Sequence, residues 1–227
     1  MTPELVIFDC DGVLVDSEAL SVSALLGMIK LAGGSLSEDD AYEHFLGKSM
    51  KSVREILGRD FGLELTDQHL TAMRVDLMRK FREELRPIPG ISEILPKLGL
   101  PFCVASSGTL ERIRYALDVT GLLKLMEPHL FSAAMVAKGK PAPDLFLHAA
   151  ASMRAHPRKC LVIEDSPAGI EAARAAGMRV FGFTGGAHAG NPGLKARLAS
   201  SEPDFIFADM LQLPDLIAGL GARVRAS

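Results

Sequence analysis

A run of four apolar residues near the N-terminus, Leu5–Phe8, passes directly into Asp9-Cys10-Asp11-Gly12. The run is too short for a helix, and its continuous apolar character is typical of a strand that is buried on both faces of a parallel sheet. In open α/β sheets, ligands bind beyond the carboxyl ends of the strands. Two carboxylates so close together repel each other unless a cation lies between them. The motif therefore predicts an α/β fold with a Mg²⁺ site and one aspartate free to attack an electrophile.

Strands and helices alternate along the chain after a Pro- and Gly-rich break at residues 86–90. Apolar runs predict strands at 101–106, 130–133, 160–163, 179–183 and 204–207, and amphipathic segments predict helices at 109–119, 143–153, 167–176 and 210–220. Such alternation is typical of a parallel sheet with helices on both faces. The expected core is therefore a doubly wound, Rossmann-like α/β domain.

The segment between the first strand and this break contains four predicted helices and no strand pattern. The helices begin near Ser17 (a candidate N-cap), Ser37, Ser49 and Asp67. We therefore expect an all-helical cap domain at residues 16–87, inserted after the first strand of a core that comprises residues 1–15 and 88–227. A small domain attached by two short linkers, here 16–18 and 85–90, is suited to act as a lid.

The composition and charge argue against several functions. The 227 residues have a net charge of −3 and a pI of about 6.1, with basic residues interspersed among acids, so no nucleic-acid-binding face is expected. Cys10, Cys103 and Cys160 are too few and too widely spaced for a disulfide framework or a zinc site, and we expect buried thiols in a reducing compartment. Signal-peptide and membrane-spanning patterns are not found, so a cytoplasmic protein without a membrane partner is expected.

Polar residues follow four of the predicted strands, and the carboxyl ends of parallel strands share one edge of a sheet. They are Asp9 and Asp11; Ser106, Ser107 and Gly108; Lys140; and Glu164 and Asp165. Together they offer a nucleophile, metal ligands, a cation and hydrogen-bond donors, which is the set that attack on a phosphate ester requires. Each site alone has a simpler interpretation as a turn, a solvated residue or a helix cap. Their occurrence in this order favours phosphate chemistry.

The same residues resemble the four motifs of the haloacid dehalogenase-like hydrolases. The resemblance lies in the decapeptide at residues 9–18 (DCDGVLVDSE), Ser106, the pentapeptide at 140–144 (KPAPD) and Glu164-Asp165-Ser166. Motif order, spacing and the helical insert are similar to the branch that contains β-phosphoglucomutase and small sugar-phosphate phosphatases. The resemblance covers nearly the whole chain, and the decapeptide carries most of its specificity.

The resemblance implies a role for each acid. Asp9 would be the nucleophile that forms an aspartyl-phosphate, and Asp11 would be the general acid toward the leaving alcohol and then the base for water. Mg²⁺ would be held by the Asp9 carboxylate, the Asp11 backbone carbonyl and Asp165, with Glu164 reaching it through water.

The resemblance also implies contacts to the phosphate and the substrate. Ser106 would hydrogen-bond the phosphoryl group, and Lys140 would offset its charge against that of Asp9. Further phosphate or substrate contacts are predicted for Cys10, Gly12, Ser107 and Gly108 in the core and for Lys48 and Ser49 in the cap.

The predicted reaction is Mg²⁺-dependent hydrolysis of a small phosphorylated sugar, sugar acid or polyol. A dehalogenase is disfavoured because that class lacks a second acid at the position of Asp11. A β-phosphoglucomutase-type phosphotransferase is the alternative, weakened because Ser21 and Met50 stand where the mutase has a histidine and an arginine. An alternative of another class is a non-turnover phospho-acceptor switch of the response-regulator kind, which lacks the helical insert. The small metabolite is the expected partner, and a monomer is favoured.

Overall fold

A computed structural model describes residues 2–45, 48–187 and 192–222, without the side chains of residues 192, 194, 221 and 222. A six-stranded, all-parallel sheet lies at its centre. The strands are β1 (Leu5–Phe8), β2 (Phe102–Ser106), β3 (Leu130–Ser132), β4 (Cys160–Glu164), β5 (Arg179–Phe183) and β6 (Phe205–Phe207). Their order across the sheet is β3-β2-β1-β4-β5-β6. The prediction of a doubly wound α/β core is confirmed.

The central strand β1 pairs with β2 on one side and with β4 on the other. In this register Phe8, the last residue of β1, lies opposite Val104 and Ile163. The strand order reverses direction at β1, and ligands bind in such sheets at this reversal. Residues that follow β1, β2 and β4 therefore meet at one edge.

Along the chain, four helices lie between β1 and the second strand of the sheet, β2. They are α1 (Glu18–Leu31), α2 (Glu38–Phe45), α3 (Met50–Phe61) and α4 (Asp67–Glu84). The last two begin after hydroxyl caps, since Ser49 accepts the N–H of Ser52 and Thr66 accepts that of His69. The insert has its own apolar cluster, which includes Val22, Leu25, Tyr42, Phe45, Val53 and Leu57. The predicted all-helical segment after the first strand is thus confirmed.

The two connections between this insert and the sheet lie side by side. The N–H of Asp16 donates to the carbonyl of Arg86, and the N–H of Ile88 donates to that of Leu14, both at 2.9 Å. Gly12 has a φ of 74°, a left-handed conformation that glycine adopts without strain, and its N–H donates to the carbonyl of Val15 at 2.8 Å. Gly12 therefore makes the turn that leads from the sheet into the insert.

The remaining helices cover both faces of the sheet. They are α5 (Ile91–Ile94), α6 (Leu110–Val119), α7 (Leu123–Met126), α8 (Asp144–Ser152), α9 (Pro167–Ala175), α10 (Pro192–Ser200) and α11 (Leu213–Ala222). Alternate residues of β1 enter different apolar clusters: Val6 and Phe8 pack with residues of α5, α6, α7 and α11, whereas Leu5 and Ile7 pack with residues of α8, α9 and α10. Burial on both faces explains the uninterrupted apolar run in the sequence.

The structure also bears on two predictions from composition. The three cysteines are buried and form no disulfide. Among the described residues, no helix is long and apolar enough to cross a membrane.

Candidate active site

The predicted site residues converge at the carboxyl edge of the sheet. Asp9 follows β1, and its N–H continues the ladder by donating to the carbonyl of Ile163 at 3.0 Å. Ser106 and Glu164 are the last residues of β2 and β4. The structure thus brings together side chains that are separated by more than a hundred residues in sequence.

Lys140 links two of these strands through buried ion pairs. Its ammonium Nζ lies 2.7 Å from Oδ1 of Asp9 and 2.6 Å from Oε1 of Glu164, and its side chain is 1% exposed. Burial lowers the pKa of Lys140, but the charges of Asp9 and Glu164 outweigh that effect and raise it above its ordinary value. Lys140 is therefore a fixed positive charge beside Asp9.

Glu164 is held rigidly by donors on both carboxylate oxygens. Oε1 accepts from Lys140, and Oε2 accepts from the N–H and hydroxyl of Ser166 at 2.8 and 2.9 Å. The Ser166 hydroxyl also caps α9 by accepting the N–H of Gly169 at 3.1 Å. A Cβ on Gly169 would lie 1.8 Å from Oε1 of Glu164, so only glycine leaves room for this carboxylate.

Three buried carboxylates, those of Asp9, Glu164 and Asp165, could together hold a metal ion. Each offers an oxygen, and these oxygens lie within 4.8 Å of one another. Burial raises the pKa of both Asp9 and Asp165 well above the ordinary value, and the charge of Glu164 adds to this effect. A divalent cation would relieve that repulsion, and an all-oxygen donor set suits a hard cation such as Mg²⁺. The residues present therefore fit the predicted metal.

Asp11 lies outside this cluster and is engaged by other partners. Its Oδ1 accepts from the hydroxyl of Ser17 at 2.6 Å and from the guanidinium of Arg112 at 2.7 Å. Its Oδ2 lies 3.5 Å from the Ser106 hydroxyl. Ser17 occupies the predicted N-cap position of α1, but its hydroxyl makes no capping bond and donates to Asp11 instead.

Arg112 is the site residue that sequence reasoning missed. It is the third residue of α6, where its N–H donates to the N-cap Thr109, and its guanidinium contacts both Asp11 and Ser21. Burial lowers the pKa of Arg112, but Asp11 and Glu18 offset this and raise it. A cation in the first turn opposes the helix dipole. That conflict makes Arg112 unusual in the sequence, but it does not show that the side chain reaches Asp11 and Ser21.

The loop after β2 is shaped by its own hydrogen bonds. The Ser106 hydroxyl accepts the N–H of Gly108 at 3.1 Å, and the Gly108 carbonyl accepts from the hydroxyl of Ser132 at 2.6 Å.

Cys10, the residue after Asp9, is buried, and burial together with the charges of Asp11 and Asp9 raises the pKa of its thiol well above the ordinary value. Cys10 is therefore not a nucleophile, and any contact to phosphate would come from its backbone.

A cavity of about 100 Å³ lies between the sheet edge and the helical insert. Its wall from the core includes Asp9, Asp11, Ser106, Ser107, Arg112, Lys140 and Glu164, and its wall from the insert includes Glu18, Ser21, Val22, Leu25, Phe45, Lys48, Met50 and Val53. Lys48 is thus placed where a cap contact was predicted. Ser49 is not among the lining residues, because its hydroxyl caps α3. Leu46 and Gly47 lie outside the described residues.

Comparisons with known proteins agree with this site. The model of the haloacid dehalogenase-like hydrolase family matches residues 3–177. The 6-phosphogluconate phosphatase of Escherichia coli (strain K12) is 30% identical over 224 residues, which are 98% of each chain. Hexitol phosphatase A of the same organism is 31% identical over 185 residues, or 77% of this chain and 80% of the relative.

The fold agrees as well. The crystal structure of a haloacid dehalogenase-like protein from Agrobacterium tumefaciens matches with a TM-score of 0.82 and 34% identity, covering 96% of this chain and 99% of the other. The prediction of a phosphoric monoester hydrolase is confirmed by the family and by relatives that are named as phosphatases. The motifs, the fold and the relatives all lead to the same conclusion: this chain belongs to the haloacid dehalogenase-like hydrolases.

Proposed function

We propose that this protein is a Mg²⁺-dependent phosphatase for small phosphorylated sugars, sugar acids or polyols, acting through an aspartyl-phosphate on Asp9. The observation that carries the proposal is the buried contact of Lys140 with both Asp9 and Glu164, with Asp165 beside them, at a cavity under the helical insert. The relatives support the substrate class, because one is named for 6-phosphogluconate and another for hexitol phosphates.

Asp9 supplies the nucleophile in the first step. Its carboxylate oxygen bonds to phosphorus as the ester P–O bond breaks, and Asp11 gives the departing alcohol a proton. Lys140 holds the Asp9 carboxylate through Oδ1 and reduces the repulsion between this anion and the incoming phosphate.

The second step regenerates the enzyme. A water molecule attacks phosphorus, Asp11 takes its proton, and the bond between phosphorus and the Asp9 oxygen breaks. Inorganic phosphate then leaves. We propose that the hydroxyl of Ser106 and the N–H of Ser107 donate to phosphoryl oxygens, whereas the N–H of Gly108 donates to the Ser106 hydroxyl oxygen.

The proposed Mg²⁺ ligands are the carboxylates of Asp9 and Asp165 and the backbone carbonyl of Asp11. When bound, the ion neutralises charge on the phosphoryl oxygens that the nucleophile approaches. Glu164 already has protein donors on both oxygens, so its main role is to anchor Lys140, and a water-mediated contact to the metal would be additional.

We also propose that residues 16–87 act as a lid over the cavity. Two adjacent connections attach this segment to the sheet, and a lid of this kind excludes water and completes the site. Lys48, Glu18 and Ser21 supply polar contacts for the sugar portion of the substrate from the insert. A monomer in the reducing cytoplasm stays our prediction.

The β-phosphoglucomutase-type alternative is less well supported. It calls for a histidine and an arginine in the insert, and the corresponding cavity-lining residues are Ser21 and Met50. Neither side chain carries a charge, so among the cavity-lining residues of the insert only Lys48 could hold the second phosphate of a sugar bisphosphate, which a phosphotransferase must retain. Hydrolysis therefore fits this cavity better than phosphoryl transfer to a second hydroxyl.

A panel of phosphorylated metabolites with Mg²⁺ tests the proposal by measuring release of inorganic phosphate and formation of isomers. The panel includes 6-phosphogluconate, hexitol phosphates and β-glucose 1-phosphate. Phosphate release from sugar-acid or polyol phosphates is expected, silenced by EDTA and by Asp9→Asn but unaffected by Asp215→Asn, an exposed aspartate in α11. Isomer formation without phosphate release would favour the mutase, and one stable phosphorylation without turnover would favour the switch.

A further inference from the structure

We propose that Arg112 is a positioning residue for Asp11, and that it makes the orientation of this carboxylate depend on contact between the core and the helical insert. This role depends on the proposed function of Asp11 as acid and base. Arg112 belongs to none of the motifs at residues 9–18, 106, 140–144 and 164–166, so its role is argued from its contacts alone.

One guanidinium touches three separate segments of the chain. A terminal nitrogen of Arg112 lies 2.7 Å from Oδ1 of Asp11 and 3.1 Å from the hydroxyl of Ser21 in α1. Its central carbon lies 5.5 Å from the centre of the Phe81 ring in α4, a favourable cation–π distance. Arg112 itself is carried by α6, which packs on the sheet, so its side chain bridges the core and two helices of the insert.

The hydrogen bonds around Asp11 link Arg112, Ser21 and Ser17 into one network. The hydroxyl of Ser21 donates its one proton to the carbonyl of Ser17 at 2.9 Å, so its oxygen accepts from Arg112. The hydroxyl of Ser17 donates to the same Asp11 oxygen that Arg112 contacts. A shift of α1 would therefore disturb both donors to Asp11 together, and the carboxylate would lose its defined direction.

Arg112 is only partly buried, with 24% of its side chain exposed, but one of its polar atoms is held at a cost that argues against an incidental contact. Its Nε is buried and has no hydrogen-bond partner among the residues that the structure describes. Its charge also lies in the first turn of α6, where the helix dipole disfavours a cation. Arg114, two residues further along the same helix, instead pairs with Glu127 near the surface. If Arg112 only stabilised the fold, an ion pair near the surface like that of Arg114 would be sufficient.

Two substrates with different leaving groups can show whether Arg112 positions Asp11 or has a structural or substrate-binding role. A sugar phosphate that the wild type hydrolyses needs a proton on its departing alkoxide, whereas p-nitrophenolate departs without one. General acid catalysis contributes roughly 10²–10⁴-fold, so partial misalignment in Arg112→Ala should lower the rate of the first step with the sugar phosphate by roughly 10-fold or more. The burst of p-nitrophenolate from the same variant should stay within about threefold of wild type, with little change in KM.

Further variants control for folding and for indirect effects. Arg114→Ala should behave as wild type with both substrates, because its partner Glu127 is not in the cavity. Guanidinium ion in solution should partly restore Arg112→Ala on the sugar phosphate. If Arg112→Ala does not fold, as judged by its unfolding temperature and circular dichroism, Arg112→Lys is used instead, since lysine keeps the charge but cannot contact Asp11 and Ser21 as one rigid plane.

A double variant decides whether Arg112 acts through Asp11. In an Asp11→Asn background, Arg112→Ala should cost nothing further with either substrate. A cost that persists in that background, an equal loss with both substrates, or a rise in KM alone would overturn the proposal in favour of a structural or substrate-binding role. Failure of the proposed function gives a different result, because the wild type and Asp9→Asn would then be equally inactive with both substrates.

Discussion

Replacement of Gly169 by alanine should destabilise the protein, although the same substitution usually stabilises a helix. Gly169 lies in α9, and alanine is favoured over glycine in a helix by about 1 kcal/mol. The new Cβ would lie 1.8 Å from Oε1 and 1.9 Å from Cδ of Glu164, so the carboxylate must move. It would then leave Lys140, which it contacts at 2.6 Å, and the two donors of Ser166.

The expected loss follows from that displaced ion pair. Separating one partner of a buried pair costs about 3–5 kcal/mol, and the gain in helix propensity returns about 1 kcal/mol. The net destabilisation is therefore about 2–4 kcal/mol, which for a chain of this size lowers the unfolding temperature by roughly 5–15 °C. Activity should fall as well, because Lys140 would lose one of the two carboxylates that fix it beside Asp9.

Thermal unfolding measured with and without Mg²⁺ tests this prediction. Gly219→Ala in α11 is the matched control, because a Cβ there would have no atom within 4 Å and the variant should be as stable as wild type or slightly more stable. The reasoning about Glu164 is refuted if Gly169→Ala unfolds at the wild-type temperature and keeps full activity.

Three further predictions follow from the buried acids and thiols. The pKa values of Asp9 and Asp165 are raised in the folded chain, so binding of protons to these carboxylates stabilises the folded state. In EDTA, the unfolding temperature should therefore fall as the pH rises from about 4 through the raised pKa values, and Mg²⁺ should reverse this fall. An unfolding temperature that rises over this pH range would contradict the prediction. Mg²⁺ at a hundred times its dissociation constant should stabilise the wild type by about 2.7 kcal/mol but leave Asp165→Asn nearly unchanged, and equal stabilisation of both would place the metal elsewhere. Burial raises the pKa of Cys10 well above its ordinary value and that of Cys160 to about 11, so a thiol reagent at pH 8 should label the native protein only as it unfolds, and rapid labelling of Cys10 would show that it is accessible.

Much of the fold could be predicted because its signals are local. The apolar run of β1 reflects burial on both faces, and hydroxyl residues such as Thr109 and Ser166 mark the first turns of α6 and α9 because they satisfy free N–H groups there. The convergence of Asp9, Ser106 and Glu164 followed from one topological rule, that parallel strands end at the same edge.

What the sequence did not reveal depends on contacts between distant segments. Arg112 becomes part of the site only because α6 lies beside α1 and α4, and its neighbours in sequence do not indicate this. Ser49 was predicted both to begin a helix and to contact the substrate, and the structure shows its local role as the cap of α3. Glu164 was assigned to the metal through water, whereas its nearest partners are Lys140 and Ser166; the motifs brought these residues together but did not predict which of them would contact each other.

The central claim is that Asp9 becomes covalently phosphorylated during turnover. Rapid acid quench during hydrolysis of a substrate from the panel, followed by peptide mass spectrometry, should find the mass of one phosphoryl group on the peptide that contains Asp9, and Asp9→Asn should neither carry that group nor turn over. Steady hydrolysis with an unmodified Asp9 peptide, together with retained turnover by Asp9→Asn, would contradict the account.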